Sequence, residues 1–229
     1  MPKRAGRPRG FDRDSALREA MEVFWALGYE GARLEILQKA MGGISAPSLY
    51  AAFGSKEALF REAVELYART VGAPVAAALD GGATARDSID GMLRAVVNLV
   101  CSDKAHRGCL VTLGTVNCSQ GNQKVQEHVR ALRAGFSRRV AGRLRKAVLD
   151  GELPANADTA AAAGFYLTVI DGLVLQAKEG ATRKFLQTTA DCAMAAWDGL
   201  MVRKQGSRSA HGAGDGSGSS STKDHEINS

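Results

Sequence analysis

Hydroxyl groups and cations are concentrated in one stretch of the chain, between residues 33 and 56. Ser45, Ser48 and Tyr50 supply hydroxyl donors, and Arg33 and Lys56 supply positive charges on long side chains. Hydroxyl and cationic donors bind phosphate oxygens, and small polar side chains can also reach the edges of bases. The residue types and their spacing therefore predict contacts with nucleic acid rather than bond-breaking chemistry.

The elements that must position these side chains are two short helices. Apolar residues recur at helical spacing over residues 34–41, and Gly42 and Gly43 then end the first helix. Ser45 is a good N-cap for a second helix, which we expect to run over residues 46–53. A helix, a short turn with glycine and a second helix form a helix-turn-helix, a motif that places one helix in the DNA major groove.

The candidate DNA contacts lie on the second helix and its flanks. Its small N-terminal side chains would face the bases, and few bidentate contacts of the arginine–guanine kind are expected from them. Lys56 opens the following helix, where a cation opposes the helix dipole unless a phosphate lies nearby. For two of these residues an alternative to a DNA contact stays open: Tyr50 could be a core aromatic residue, and Arg33 could be a solvent-exposed arginine without a DNA contact. The candidates are Arg33, Ser45, Ala46, Pro47, Ser48, Tyr50 and Lys56.

Both ends of the chain differ from the middle in composition. Residues 1–10 contain four cations, two glycines, two prolines and no acidic residue, which predicts a basic flexible arm. Arms of this kind insert arginines into the minor groove, so Arg7 and Arg9 are further candidate DNA contacts; the alternative is a solvated tail. Residues 204–229 are rich in serine, glycine and charge, and we expect them to be disordered.

Residues 11–58 predict a three-helix DNA-binding headpiece. Asp12 or Asp14 would cap its first helix, whose apolar stripe ends at Leu27. Gly28 is expected to end this helix, and Tyr29 to pack in the small core that the three helices share.

Residues 59–203 predict a larger helical domain that binds a ligand and pairs with a second copy. A helix over residues 58–72 would bridge the two domains, and Pro74 and the stretch Asp80-Gly81-Gly82 mark a break. Residues 108–118 fit either a short helix or a strand on spacing alone. Further helices are predicted around residues 89–100 and over residues 122–151, 158–178 and 182–202.

The last two predicted helices are apolar over most of their circumference. A helix of this kind must be covered on two sides, and its own domain can cover only one of them. A second copy of the chain, related by a two-fold axis, would cover the other side. The pattern therefore predicts a homodimer through these two helices, with a single fully buried core as the alternative.

Pockets between bundle helices commonly bind small molecules, so the larger domain has candidate effector contacts. Cys109 is one of them, because a helix start and the neighbouring Arg107 would favour a thiolate that reacts with oxidants or electrophiles. Ordinary core packing is the alternative for every candidate. The candidate lining residues are Met92, Val96, Cys109, Leu113, Phe136, Phe165, Tyr166 and Ile170.

Composition limits the other classes of function. The net charge is +6 with a pI near 9.3, which suits nucleic acid without requiring it. No uninterrupted apolar run has the length of a membrane span, and no secretory signal is visible. The four cysteines lack zinc spacing, and no catalytic motif is present in the expected context. We therefore expect a cytoplasmic protein without catalytic residues, metal or cofactor.

The run over residues 11–60 resembles the TetR/AcrR family of bacterial transcription regulators. The resemblance is carried by Leu27-Gly28-Tyr29, by Ser48-Leu49-Tyr50 and by the stretch from Phe53 to Leu59. Two features depart from the family pattern. Ala32-Arg33 replaces a pair that usually contains a hydroxyl, and the turn at residues 42–44 is one residue longer.

The resemblance implies phosphate contacts by Tyr50 and Lys56 and a four-helix dimer interface. It also implies a repressor of a palindromic operator, released when a small hydrophobic molecule, oxidant or electrophile tilts the bridging helix. An activator or ligand-independent regulator on the same fold is the main alternative. A helical enzyme for an apolar substrate and a non-specific architectural DNA protein are the others.

Overall fold

The computed structural model describes residues 12–102, 108–116 and 118–201. Within these ranges the chain forms α-helices, one short 3-10 helix and no strand, so the predicted all-α fold is confirmed. The predicted arm and tail, with Arg7 and Arg9, lie outside the described residues. The helices are α1 (Arg13–Gly31), α2 (Leu34–Ala40), α3 (Ala46–Phe53), α4 (Lys56–Arg69), α5 (Ala73–Gly81), α6 (Ala85–Ser102), α7 (Leu110–Leu113), α8 (Gln123–Leu149), α9 (Thr159–Lys178), α10 (Arg183–Ala195) and α11 (Trp197–Met201).

Helix α1 is capped by Asp12, whose carboxylate accepts a hydrogen bond from the Asp14 N–H at 3.1 Å. Gly28 has φ 68° and ψ 177° and breaks the helical path inside α1. The break turns Tyr29 into the core, where it is 7% exposed, as predicted. The prediction that Leu27 is a core residue is wrong. It is 47% exposed and borders a cavity between α1 and α7.

An aromatic cluster holds α1 against the bridging helix α4. The Phe60 ring lies edge-on to Phe24 and Tyr29, with centroids at 5.0 and 5.2 Å. Trp25 packs in the same way on Tyr67, one turn before the end of α4, at 5.1 Å. The headpiece core also includes residues of α7 and the start of α8, so its apolar packing continues past the predicted domain boundary at residue 58.

The larger domain is built from α5, α6 and α8–α11 around a second apolar core. The predicted breaks at Pro74 and at Asp80-Gly82 coincide with the two ends of α5, a short helix that the sequence analysis did not predict. Pro74 lies in the first turn of α5, where its missing N–H removes no helical bond. Gly82 follows α5 and lets the backbone pass close to α6, since a Cβ at residue 82 would lie 2.3 Å from the Ser88 nitrogen. The predicted single helix over residues 182–202 is divided at Ala196 into α10 and α11.

Helix α9 is long and apolar enough to cross a membrane by length and composition, with a mean hydropathy of 1.5. The sequence expectation overlooked it because polar residues such as Asp171 interrupt the run. Core helices of globular domains meet the same criterion, and α9 packs against α6, α8 and α10. We therefore treat α9 as a helix of the larger domain.

Candidate nucleic-acid interface and effector cavity

Helix α3 has the bounds that the sequence predicts, and its caps show why. The Ser45 hydroxyl accepts a hydrogen bond from the Ser48 N–H at 3.3 Å, and Gly54 ends the helix with φ 79°. The Ser45 hydroxyl also lies 2.9 Å from the Ser48 hydroxyl, so the two side chains bind each other. Leu49 and Phe53 anchor the opposite face in the core.

The outward face of α3 consists of small or slender side chains. Pro47 and Ser48 are exposed, Ala46 is half-buried, and Tyr50 is 45% exposed. Because nearly half of its surface is exposed, Tyr50 is not a core aromatic residue. The face can approach a groove closely, and the Tyr50 hydroxyl is available to a partner outside the protein.

The turn before α3 is held by a side chain that the sequence analysis did not single out. Gln38 donates from Nε2 to the Ile44 carbonyl at 2.9 Å and bridges the turn at its far end. Gly42 and Gly43 both have positive φ, 84° and 74°, which the extra residue of the turn requires. Arg33 occupies the N-cap of α2 without making a side-chain cap there, and its side chain is exposed.

Arg13 fixes α3 relative to the other headpiece helices and was also missed from sequence. Its Nη2 donates at 2.8 Å to both carboxylate oxygens of Glu62 on α4. Its guanidinium carbon lies 4.4 Å from the centre of the Phe53 ring at the end of α3. One side chain of α1 thus ties α3 to α4, over a separation of 49 residues that leaves no local signal.

Lys56 lies at the junction between the headpiece and the larger domain. Its Nζ is 4.4 Å from the centre of the Tyr29 ring, which stabilises the cation from within the protein. Burial lowers the Lys56 pKa, and the nearby Glu30 carboxylate opposes that shift. Tyr29 and Glu30 thus give the Lys56 cation two contacts inside the protein, and a phosphate contact by Lys56 stays a prediction.

Glu30 connects the same junction to the segment that follows α7. Its Oε1 accepts hydrogen bonds from the Ser119 N–H at 2.8 Å and from Asn122 Nδ2 at 2.7 Å. These bonds, the Ser119 N–H first, hold the Glu30 pKa below its usual value. The Tyr29 N–H also donates to the Gly114 carbonyl at 2.9 Å. The C-terminal end of α1 is thus bonded directly to the larger domain.

A cavity of about 560 Å³ lies between α4, α5, α6, α8 and α9. Four predicted effector contacts line it, namely Val96, Cys109, Phe136 and Ile170. Its lining also includes Tyr67 and Ala68, near the end of α4, and Gly72, which precedes α5. The cavity therefore borders the helix that begins at the headpiece.

The other four predicted effector contacts do not line this cavity, which corrects their placement. Met92 and Tyr166 have no exposed surface, because they lie on faces of α6 and α9 that pack in the core. Phe165 packs edge-on to Tyr166 at 5.1 Å. Leu113 borders the second cavity, of about 440 Å³, between α1 and α7.

Cys109 borders both cavities and is half-buried. Cys109 precedes α7, which has only four residues. The dipole of so short a helix is weak, so it would favour a Cys109 thiolate less than the sequence analysis expects. Arg107, the cation invoked beside it, lies outside the described residues. Among the residues that the structure describes, no group of three histidine, cysteine or acidic side chains could hold a metal ion.

A helix-turn-helix headpiece joined by one continuous helix to a larger helical domain with a cavity defines a two-domain DNA-binding regulator. Residues 16–63 match the family model for bacterial regulatory proteins of the tetR family. Residues 85–191 match the model for tetracyclin repressor-like C-terminal domains. Together, the two matches include both described domains.

Relatives and solved structures agree with these matches. The HTH-type transcriptional repressor ComR of Escherichia coli is 31% identical over 200 residues, covering 87% of this chain and 95% of that protein. A cysteine mutant of the TetR family transcriptional regulator CifR was solved in complex with a 26-base-pair double-strand operator. Its structure is 44% identical in sequence, superimposes with a TM-score of 0.80, and covers 83% of this chain and 100% of the CifR chain. The transcriptional regulator FadR of Bacillus subtilis, solved in complex with stearoyl-CoA, is 16% identical and therefore shows the fold alone. It superimposes with a TM-score of 0.63 and covers 81% of this chain and 97% of the FadR chain.

The chain belongs to the TetR family of bacterial transcription regulators. Its function is therefore DNA-binding regulation of transcription, as the headpiece resemblance implies. Regulators of this class are generally not enzymes.

Proposed function

We propose that the protein is a cytoplasmic homodimeric repressor that leaves a near-palindromic operator when a small molecule enters the 560 Å³ cavity. The observation that carries this proposal is the path of α4. Lys56 begins α4 in the headpiece, and Tyr67 near its other end lines the cavity. The names of two relatives support repression and operator binding, since ComR is a repressor and CifR was solved on an operator.

The dimer would form through the outward face of α9 together with α10. Leu175 and Phe185 are about half exposed there, at 48% and 51%. Gly164, Thr168 and Gly172 form an exposed line at four-residue spacing on α9, which allows a facing helix to approach closely. In a dimer with a two-fold axis through this face, the α3 helices of the two subunits would enter successive major grooves, about 34 Å apart.

Effector binding would act by favouring one spacing of the two headpieces over the other. A ligand shifts this equilibrium only by its difference in affinity for the two arrangements. It would act on the end of α4, where Tyr67 and Ala68 line the cavity, because the aromatic cluster around Phe60 couples α4 to α1. Movement of α4 would therefore carry the headpiece with it.

Footprinting on the DNA flanking the gene tests this proposal. We expect one protected inverted repeat, bound roughly 1000-fold more tightly than scrambled DNA at physiological salt. Equal affinity for both DNAs would favour an architectural protein and overturn operator recognition. Footprints located relative to the promoter distinguish a repressor from an activator.

Covalent sensing at Cys109 is a second candidate for the regulatory step, because its thiol borders both cavities and is half-buried. We expect hydrogen peroxide or iodoacetamide to release the parent protein from its operator and to leave Cys109→Ser bound. Cys192→Ser, which removes an exposed thiol on α10, is the matched control and should respond like the parent. Equal release of the Cys109→Ser protein would exclude sensing at this residue.

A further inference from the structure

The Tyr67 hydroxyl group is buried against the Cys109 thiol. Tyr67 is 1% exposed, and within the described ranges its hydroxyl oxygen makes no hydrogen bond of ordinary geometry. Its polar neighbours are the Cys109 thiol and the Leu110 backbone, and Cys109 packs against the same apolar core. A neutral thiol sulfur is a weak acceptor, whereas a thiolate accepts a strong, charge-assisted hydrogen bond. The hydroxyl therefore gains a full partner when Cys109 loses its proton.

On the basis of the covalent alternative within the proposed function, we infer that Tyr67 is the positioning residue of a reactive thiol at Cys109, one that takes up an uncharged carbon electrophile. The Tyr67 hydroxyl donates a hydrogen bond to the Cys109 thiolate. The thiolate is the nucleophilic form of cysteine, so this bond raises the fraction of protein that can react. With an alkyl halide, the thiol proton passes to solvent, the sulfur bonds to carbon, and the halide leaves with the electron pair of the broken bond.

The surroundings of Tyr67 keep its phenol a donor toward the sulfur. Burial, followed by the neighbouring Cys109, raises the Tyr67 pKa above its usual value, so the phenol holds its proton at physiological pH. The Leu110 backbone opposes that shift, as a donor to the hydroxyl oxygen does. A donor on the oxygen leaves the hydroxyl proton for the Cys109 sulfur.

Cys109 is within reach of a small reagent, and Cys118 provides a contrast in the same chain. Cys109 is half-buried and borders both cavities, whereas Cys118 is half-buried and borders the 440 Å³ cavity. Burial, followed by the Glu30 carboxylate, raises the Cys118 pKa, which disfavours its thiolate. Reaction at neutral pH should therefore be faster at Cys109 than at Cys118.

The charges around the 560 Å³ cavity favour an uncharged reagent. Arg133 and Arg139 both line it, but Arg133 donates to Asp171 at 2.5 Å and Arg139 pairs with Asp80. An anion entering the cavity would have to break one of these ion pairs, since a charge leaves water only for a partner. A neutral electrophile meets no such cost on its way to Cys109.

A group attached to Cys109 would also reach the headpiece through Tyr67. The Tyr67 hydroxyl oxygen has less than 1 Å² of accessible surface, so atoms added to the neighbouring sulfur crowd it. The Tyr67 ring packs edge-on against Trp25 of α1 at 5.1 Å, and Trp25 donates from Nε1 to the Gly108 carbonyl at 3.2 Å. Displacement of Tyr67 therefore acts on α4 and α1 together.

Peptide mass spectrometry can follow the alkylation of each cysteine in the full-length protein without DNA. We expect Tyr67→Phe to slow iodoacetamide alkylation of Cys109 about fivefold at pH 7, because the loss of thiolate outweighs the higher nucleophilicity of a less stabilised sulfur. The difference should vanish by pH 10, where a thiol ionises without a donor. Tyr166→Phe is the matched control, since Tyr166 is as deeply buried but its hydroxyl bonds to the Ala193 carbonyl at 3.4 Å. It should leave the Cys109 rate unchanged.

The same digests provide internal controls. Tyr67→Phe should leave the rates at Cys118 and at the exposed Cys192 unchanged. Iodoacetate is the charged counterpart of iodoacetamide, and it tests the class of electrophile. We expect the ratio of iodoacetamide to iodoacetate rates to be larger at Cys109 than at Cys192, by about threefold or more.

An unchanged Cys109 rate in Tyr67→Phe would overturn the role of Tyr67, and so would equal slowing at pH 7 and pH 10, which describes packing alone. In the parent protein, a Cys109 rate no higher than that of Cys118 at pH 7 would overturn it without any variant. Equal probe ratios at Cys109 and Cys192 would exclude selection for an uncharged reagent. Tyr67→Phe loses only an unpaired hydroxyl and should melt no lower than the parent. Operator affinity of the unmodified protein tests the proposed function separately from these rates.

Discussion

A Gly172→Glu protein is expected to be folded and monomeric, and to bind its operator at least 100-fold more weakly than the parent. Gly172 lies on the exposed line of α9, and a Cβ added there meets no heavy atom within 4 Å in one protomer. The subunit therefore tolerates the side chain, whereas a facing helix would bury an unpaired carboxylate. Without the dimer, the two headpieces no longer bind as one ligand, which removes roughly two orders of magnitude or more in affinity.

Light scattering after size exclusion measures the oligomeric state, and a gel-shift titration measures operator affinity. Gly142→Glu is the matched control, because it adds the same carboxylate to a glycine within α8. Its Cβ would meet only the end of the Arg145 side chain, at 3.9 Å. The control also reports how far an added negative charge alone weakens DNA binding. A dimeric Gly172→Glu protein with parental affinity would mean that the subunits pair elsewhere.

The helix-turn-helix was predictable because its signals are local. Ser45, Pro47 and Gly54 each act on the backbone within one turn of helix, so the bounds of α3 follow from residue types alone. The apolar period of α2 is equally local. The structure agrees with the sequence to the residue for α3 and to within one residue for α2.

The contacts that position the headpiece were not predictable, because they join residues far apart in the chain. Arg13 and Glu62 are separated by 49 residues, and Glu30 and Ser119 by 89. Each of these side chains looks like an ordinary surface charge or polar residue in the sequence. Only the packing of α1 on α4 and on the segment after α7 brings the partners together.

The effector cavity shows the limit of hydrophobic periodicity. Met92 and Val96 are four residues apart on α6 and equally apolar, yet only Val96 borders the cavity. The period places both on the inner face, and the position of α8 and α9 decides which one meets empty space.

Replacing both Tyr50 and Lys56, as Tyr50→Phe with Lys56→Ala, is expected to weaken operator and random DNA by the same factor. That factor should be on the order of 30-fold or more at low salt, because each dimer would lose up to four phosphate contacts. Phosphate contacts carry no sequence information, so the preference for the operator should persist. The slope of log K against log salt should fall by about two, one counterion for each lysine lost.

The fold should survive both changes. Tyr50 is 45% exposed, and Lys56→Ala removes mainly the contact with the Tyr29 ring, a loss of about 1 kcal/mol or less. Thermal unfolding checks this, and Lys146→Ala on α8, which removes an exposed lysine paired with Asp150, controls for the lost charge. An unchanged salt slope would mean that Lys56 stays with Tyr29 and Glu30 on DNA and never reaches a phosphate. A loss confined to the operator would instead assign base recognition to one of the two residues, because only contacts with bases distinguish one sequence from another.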